Sequence, residues 1–255
     1  MHVVIVGAGI GGLATAIALR RVGMRVDVYE RRSAMQREPL GSGLTLWSNA
    51  VRALAALGVE SGVLAEARTL HYFDNQDWRG RPIARWHLAD DAARYGQPSV
   101  NISRDALHRI LLAASEGAVI HRGRTCVGVE LGPAGVRVRF ADGGSAEGDI
   151  LVGADGVNSL VRRALFGPAP PRYAGYPVWR ALVDLQHPAI SQATHRQLWG
   201  RGARFGYYRV GPSGELYWWA TTCAAEHDLE PVADRRSRLL DIFAGWAEPV
   251  EQILQ

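Results

Sequence analysis

The chain has 255 residues, 47% hydrophobic and 21% charged, which is ordinary for a soluble globular protein able to bury one large core or two modest ones. Its net charge of +4 comes from arginines scattered along the sequence, so no basic block or nucleic-acid motif appears, and no apolar run is long enough to span a bilayer. Cys126 and Cys223 lie far apart without metal-type spacing, so two thiols in a reducing, cytoplasmic setting and no metal site are expected.

From the N-terminus, Val3 to Val6 reads as a buried strand that stops at Gly7, and Leu13 to Leu19 reads as a helix of small apolar residues. Between them Gly7, Gly9, Gly11 and Gly12 carry G-x-G-x-x-G spacing. Gly7 makes the tight turn, and Gly9 lets backbone approach a pyrophosphate. Gly12 lets the helix pack close to the strand, while the helix N-terminus favours the anion. A second strand, Arg25 to Tyr29, ends at Glu30, whose carboxylate suits both hydroxyls of an adenosine ribose. Strand, glycines, helix, strand and acid together predict a dinucleotide site.

A polar stretch, Arg31 to Glu38, leads into a loop from Pro39 to Gly43. Asn49 to Leu57 has helical periodicity and stops at Gly58. Thr69 to Asp74 and Pro82 to Leu88 read as strands around a turn, with Ser99 to Ile102 as another. Ser103 caps a helix from Arg104 to Ser115 that buries Leu107, Ile110 and Leu111. Strands follow at Val119 to His121, Cys126 to Leu131, Val136 to Phe140 and Ser145 to Val152, the last two joined by a hairpin turn, Ala141 to Gly144.

The stretch Asp149 to Arg162 holds a second joint. An apolar run, Ile150 to Val152, breaks at Gly153, Asp155 and Gly156 turn the chain, and a helix opens at Asn158 or Ser159. Such a joint offers backbone N–H groups and a carboxylate beside a phosphate.

Past Gly167 the composition changes. The stiff Pro168-Ala-Pro-Pro171 marks a domain boundary, giving a nucleotide-binding domain over 1–167, with a strand insertion near 69–98 that joins the substrate domain, and an incomplete substrate domain over 168–255. Strands are predicted at Val178 to Leu185, Gln197 to Trp199, Phe205 to Val210 and Leu216 to Thr222, followed by helices from Ala233 and Pro249. Trp179, Trp199, Tyr207, Tyr208, Tyr217, Trp218 and Trp219 crowd this sheet, which suits a pocket for a planar molecule. His71, His108 and His121 are expected to be surface or structural groups.

With these motifs in place, the chain resembles the N-terminal two thirds of the group A flavoprotein monooxygenases, the aromatic hydroxylases related to p-hydroxybenzoate, salicylate and urate hydroxylase. The glycine turn with Glu30 matches the family's FAD-adenosine fingerprint, Gly41 to Asn49 its following loop, and Ser103-Arg104 its flavin-phosphate arginine. Asp149 to Arg162 matches the Asp-Gly motif, which contacts FAD and is implicated in NAD(P)H use, while Arg172 to Arg180 and Trp199 to Gly206 match substrate-domain segments.

The resemblance implies an α/β fold: an FAD/NAD(P)-binding Rossmann-like domain with an antiparallel-sheet substrate domain, C-terminally truncated because the third flavin motif is expected beyond residue 255. It implies FAD as cofactor, with NAD(P)H and O2 as co-substrates, hydroxylating a small aromatic substrate through a flavin C4a-hydroperoxide. Cofactor residues would be Gly7, Gly9, Gly11, Gly12, Glu30, Arg31, Thr45, Arg104, Val127 and Asp155. Arg204 and Tyr217, on adjacent predicted strands, are the candidates for substrate handling, with Arg180 a further one. A truncated or inactive flavin-binding homologue stays open as an alternative, as does another flavin-fold oxidoreductase of halogenase or reductase type. No membrane partner is expected.

Overall fold

The computed structural model describes residues 1–34, 42–133, 135–226 and 234–255. The chain divides into two compact units, one of residues 1–37 and 107–172, the other of 38–106 and 173–255. It therefore crosses between units three times, with the strands near 69–98 in the same unit as residues 173–255.

In chain order, β1 (His2–Val6), α1 (Ile10–Arg21) and β2 (Arg25–Glu30) form the opening unit. β3 (Gly43–Leu46), α2 (Ser48–Ala56), α3 (Glu60–Glu66), β4 (Arg68–Thr69), β5 (Tyr72–Asp77), β6 (Pro82–His87), α4 (Leu88–Tyr95), β7 (Val100–Ser103) and α5 (Arg104–Ala114) follow. Next come β8 (Val119–Arg122), β9 (Cys126–Gly132), β10 (Gly135–Phe140), β11 (Ser145–Gly148), β12 (Ile150–Gly153) and α6 (Leu160–Phe166). The chain continues through β13 (Val178–Val183), β14 (Thr194–Gly200), β15 (Ala203–Val210) and β16 (Glu215–Thr222) to α7 (Arg235–Ile242) and α8 (Val250–Leu254).

In the first unit a parallel sheet runs β12-β1-β2-β8, beside an antiparallel sheet β11-β10-β9. Val3, Val4, Ile5 and Val28 are fully buried, which is why these strands read as unbroken apolar runs. In the second unit β3, β7 and β4 form a small antiparallel sheet, and six strands run β13-β16-β15-β14-β5-β6. That larger sheet is antiparallel except for the parallel β14–β5 pair.

Strand alternation gives the six-stranded sheet two chemically different faces. One carries Leu198, Phe205, Tyr207, Leu216 and Trp218 into a core closed by Leu239, Phe243 and Ile253 of α7, its C-terminal flank and α8. The other face holds Arg180, His195, Arg204, Gly206, Tyr208, Tyr217 and Trp219.

Several expectations are corrected. The run 145–152 is two strands, because Asp149 is pinned between them: its N–H donates to His2 O at 2.9 Å and its carboxylate accepts from His2 N at 2.7 Å. The run 69–74 also splits, since Leu70 N–H still bonds Ser99 O while His71 N–H turns to Ala193 O. Of the loop expected over 39–43, residues 39–41 lie outside the described residues, and Gly43 already pairs with Ser103 in the β3–β7 ladder. Helices α3 and α4 had no sequence expectation; α4 ends at Gly96, whose φ is +74°. Leu107 and Leu111 are buried on α5 as expected, whereas Ile110 is half-buried.

Candidate functional site

The glycine turn of the first unit is built by close approach. Gly7 has φ +106°, and a Cβ there would stand 2.2 Å from Ala154 O. At Gly12 a Cβ would stand 1.9 Å from Gly7 O, so α1 packs on the turn as only glycine permits. Gly9 and Gly11 are different: a Cβ at either would meet nothing within 4 Å. Their missing side chains leave room beside the α1 N-terminus. That terminus has no side-chain cap and no acidic residue in its first turn, so its positive end is left for an anion.

Glu30 is held at the rim of this turn, its Oε2 accepting from Ala8 N–H at 2.9 Å and its Oε1 from Arg32 N–H at 3.0 Å. Arg31 is exposed beside it. His108 Nε2 donates to Ala8 O at 2.8 Å and so fastens the turn from α5. Nothing in the sequence marks that contact, because it spans 100 residues. Open glycines, an uncapped helix end and a fixed carboxylate together fit the adenosine diphosphate half of a dinucleotide.

The second joint meets the first directly. Ala154 N–H bonds Val6 O at 2.8 Å, and Gly7 packs on Ala154. The Asp155 carboxylate accepts from Leu160 N–H at 2.7 Å, Val161 N–H at 3.1 Å and the Ser159 hydroxyl at 2.5 Å. Ser159 Oγ, the N-cap, accepts from Arg162 N–H at 2.9 Å. The N–H groups of Leu160, Val161 and Arg162 at the start of α6 are therefore filled from within the chain. What this joint contributes is a turn locked against Gly7. Val127, on β9, is 49% exposed and close to neither motif in sequence.

In the second unit, Arg104 is the first residue of α5, its backbone N–H donating to Ser42 O at 2.7 Å, and Ser103 Oγ caps the helix by accepting from Ala106 N–H at 3.1 Å. Thr45 donates its hydroxyl to Asn101 Oδ1 at 2.9 Å and lies 3.1 Å from His195 Nδ1. Since the threonine proton is already used, His195 donates from Nδ1 to Thr45, leaving Nε2 to face Gln197 Nε2 at 3.5 Å. Burial between the rings of Phe73 and Tyr208 lowers the His195 pKa to about 3. Burial and the neighbouring Tyr217 push the Tyr208 phenol well above its usual range, against the opposing pull of Thr45 and Arg180. No local motif marks His195, because its partners come from three other strands.

Arg204 and Tyr217 share one sheet face but are not neighbours. Arg204 pairs with Thr221, and Tyr217 pairs with Tyr208, four residues further along β15. At about 3.4 Å per residue that separates them by roughly 14 Å along the strand. Arg204 Cζ lies 5.9 Å from the Tyr176 ring and 5.8 Å from the Trp199 ring. Tyr217 is buried against Gly43, where a Cβ would fall 2.6 Å from its ring. Arg180 pairs with Trp219 on the same face. A separate groove of about 530 Å³, lined by Trp78, Arg201, Cys223 and Trp246, lies at the far end of β14 and β15.

A family model described as an FAD binding domain matches residues 1–209. The aurachin C monooxygenase/isomerase of Stigmatella aurantiaca is 37% identical over 259 residues, an alignment covering 100% of this chain and 65% of the relative. The FAD-dependent urate hydroxylase of Klebsiella pneumoniae is 32% identical, with 100% of this chain and 66% of the relative covered. The crystal structure of Klebsiella pneumoniae HpxO complexed with FAD and uric acid aligns with a TM-score of 0.91 at 30% identity, covering 100% of this chain and 64% of that one. The chain spans about 65% of the length of the relatives it matches.

Proposed function

The chain belongs to the FAD-binding domain family, and from that premise we propose that it serves an FAD-dependent monooxygenase reaction, hydroxylating a planar aromatic substrate with NAD(P)H and O2. The observation that carries the reading is the glycine turn, open at Gly9 and Gly11 and rimmed by the fixed Glu30 carboxylate. FAD, when bound, supplies the two-electron chemistry between NAD(P)H and O2 that no side chain of the chain can perform. In the balanced reaction one oxygen atom of O2 becomes a ring hydroxyl and the other leaves as water. NAD(P)H and a proton supply the electrons and hydrogen.

The protein's work is binding, orientation and exclusion of water. Residues 1–37 and 107–172 hold the nucleotide, and residues 38–106 and 173–255 the substrate. Glu30 takes the ribose hydroxyls, and the α1 N-terminus with Gly9 and Gly11 takes the pyrophosphate. Arg31, Val127 and Asp155 complete the first unit's share, with Asp155 acting by locking the turn on Gly7. Arg204 anchors an acidic group of the substrate at one end of the sheet face, and Tyr217 bounds the other. The setting is cytoplasmic, a reading supported by the two free thiols, Cys126 and Cys223.

The test is a visible spectrum of the purified protein, followed by NADH and NADPH oxidation with and without aromatic acids under ¹⁸O2. Bound yellow flavin, oxidation stimulated by an aromatic acid and ¹⁸O in the product are expected. A protein that stays colourless with added FAD, or a reductant rate indifferent to every aromatic acid, refutes the proposal.

A further inference from the structure

β15 is buried from Phe205 to Val210, yet a glycine stands inside it. Glycine weakens a strand, and Gly206 is not among the residues with positive φ that need it for the backbone. The reason is space. A Cβ at Gly206 would lie 2.3 Å from Trp219 Cε2 and 2.5 Å from both Cζ2 and Nε1. Gly206 and Trp219 are ladder partners on β15 and β16, so the indole lies down across the neighbouring strand at the one position without a side chain.

A tryptophan serving only the core would be covered. Its neighbour Trp218 is: 8% exposed, on the opposite face, stacked on Phe205 with 5.6 Å between centroids. Trp219 instead is the half-open residue in a strand whose other residues from Leu216 to Thr222 are buried. Its surroundings are also polar. Arg180 pairs with Trp219, while Arg204 and Tyr208 flank Gly206 along β15 and Gln197 pairs with it from β14. A flat π surface bordered by guanidinium and phenol groups matches a planar ring bearing an anionic substituent, and does not match an aliphatic acid of the same charge.

We infer that the Trp219 indole, laid flat by Gly206, is the stacking floor for the substrate ring and sets the site's preference for flat anionic molecules. This rests on the monooxygenase reading for the location of the substrate, but its test is a binding measurement. Calorimetric titrations of the FAD-loaded protein would use 4-hydroxybenzoate and 2-naphthoate as flat acids and cyclohexanecarboxylate as the non-planar control. The parent binds at least one flat acid, and binds it about tenfold or more tighter than the control. Trp219→Leu weakens the flat acid about tenfold and the control little, whereas Trp219→Phe keeps most of the affinity. Gly206→Ala, which displaces the indole, behaves like Trp219→Leu. Retained flavin absorbance shows that each variant is folded.

The inference is overturned if no flat acid binds the parent, if Trp219→Leu binds as the parent does, or if flat acid and control weaken equally. Failure of the monooxygenase reading looks different: Trp219-dependent binding of a flat acid without stimulated NAD(P)H oxidation removes that reading and leaves the stacking floor in place.

Discussion

Acidification between pH 7 and pH 5 should destabilise this protein through one buried ring. His195 is 6% exposed, lies against Phe73 and Tyr208, and burial lowers its pKa from 6.5 to about 3. The folded state then stays neutral where the unfolded chain takes up a proton, so stability is full above 6.5 and falls as pH drops toward 3. Each pH unit in that window costs about 1.4 kcal/mol, or about 2 kcal/mol by pH 5. The assay is urea denaturation of the FAD-saturated protein at pH 7 and pH 5, alongside His195→Gln. That variant removes the titrating group while keeping an amide able to bond Thr45. The parent should lose about 2 kcal/mol more than His195→Gln over the interval, with an unchanged m-value. Equal losses in the two proteins, or an imidazole NMR signal titrating near 6.5, would refute the reasoning.

The two kinds of glycine should separate in one experiment. Gly12→Ala lowers the melting temperature because its Cβ meets Gly7 O, whereas Gly11→Ala, with nothing within 4 Å, keeps the melting temperature and weakens FAD about tenfold or more; unchanged FAD affinity in Gly11→Ala removes the pyrophosphate reading. Ser159→Ala should cost about 1 kcal/mol as a lost helix cap. Asp155→Ala should lower stability as well as FAD affinity, because its carboxylate holds Leu160 and Val161 N–H; lower affinity at unchanged melting temperature would mean that the carboxylate serves the cofactor alone. Burial pushes the Asp27 carboxyl up, but bonds to His121 and His2 outweigh this and hold it below 3.8, so its contribution is present above that value and is lost as pH falls through the folded pKa. Asp27→Asn should therefore lower the melting temperature at pH 7 and differ little from the parent once Asp27 is protonated, as read by calorimetry.

The opening β1, glycine turn, α1 and β2 were legible because each rule involved acts within a few residues: a strand that stops at glycine, a helix start, an acid at a strand end. The aromatic strands of the larger sheet were legible for the same reason, through their local enrichment in aromatic residues. The break at Asp149 was not. Ser145 to Val152 reads as one run, and only the available partners, β10 for the first half and β1 for the second, divide it.

The same limit governs the site. Sequence by itself determined that a dinucleotide turn ends in Glu30 and that aromatics crowd the later strands, because glycine spacing and aromatic composition are local. Tertiary structure alone decided that His108 fastens that turn, that the Asp155 carboxylate is already engaged, and that Arg204 and Tyr217 are separated by Trp219 lying over Gly206. Those outcomes depend on ladder register and on contacts across as many as 100 residues, and pairing free energy is settled only when the partner strand arrives.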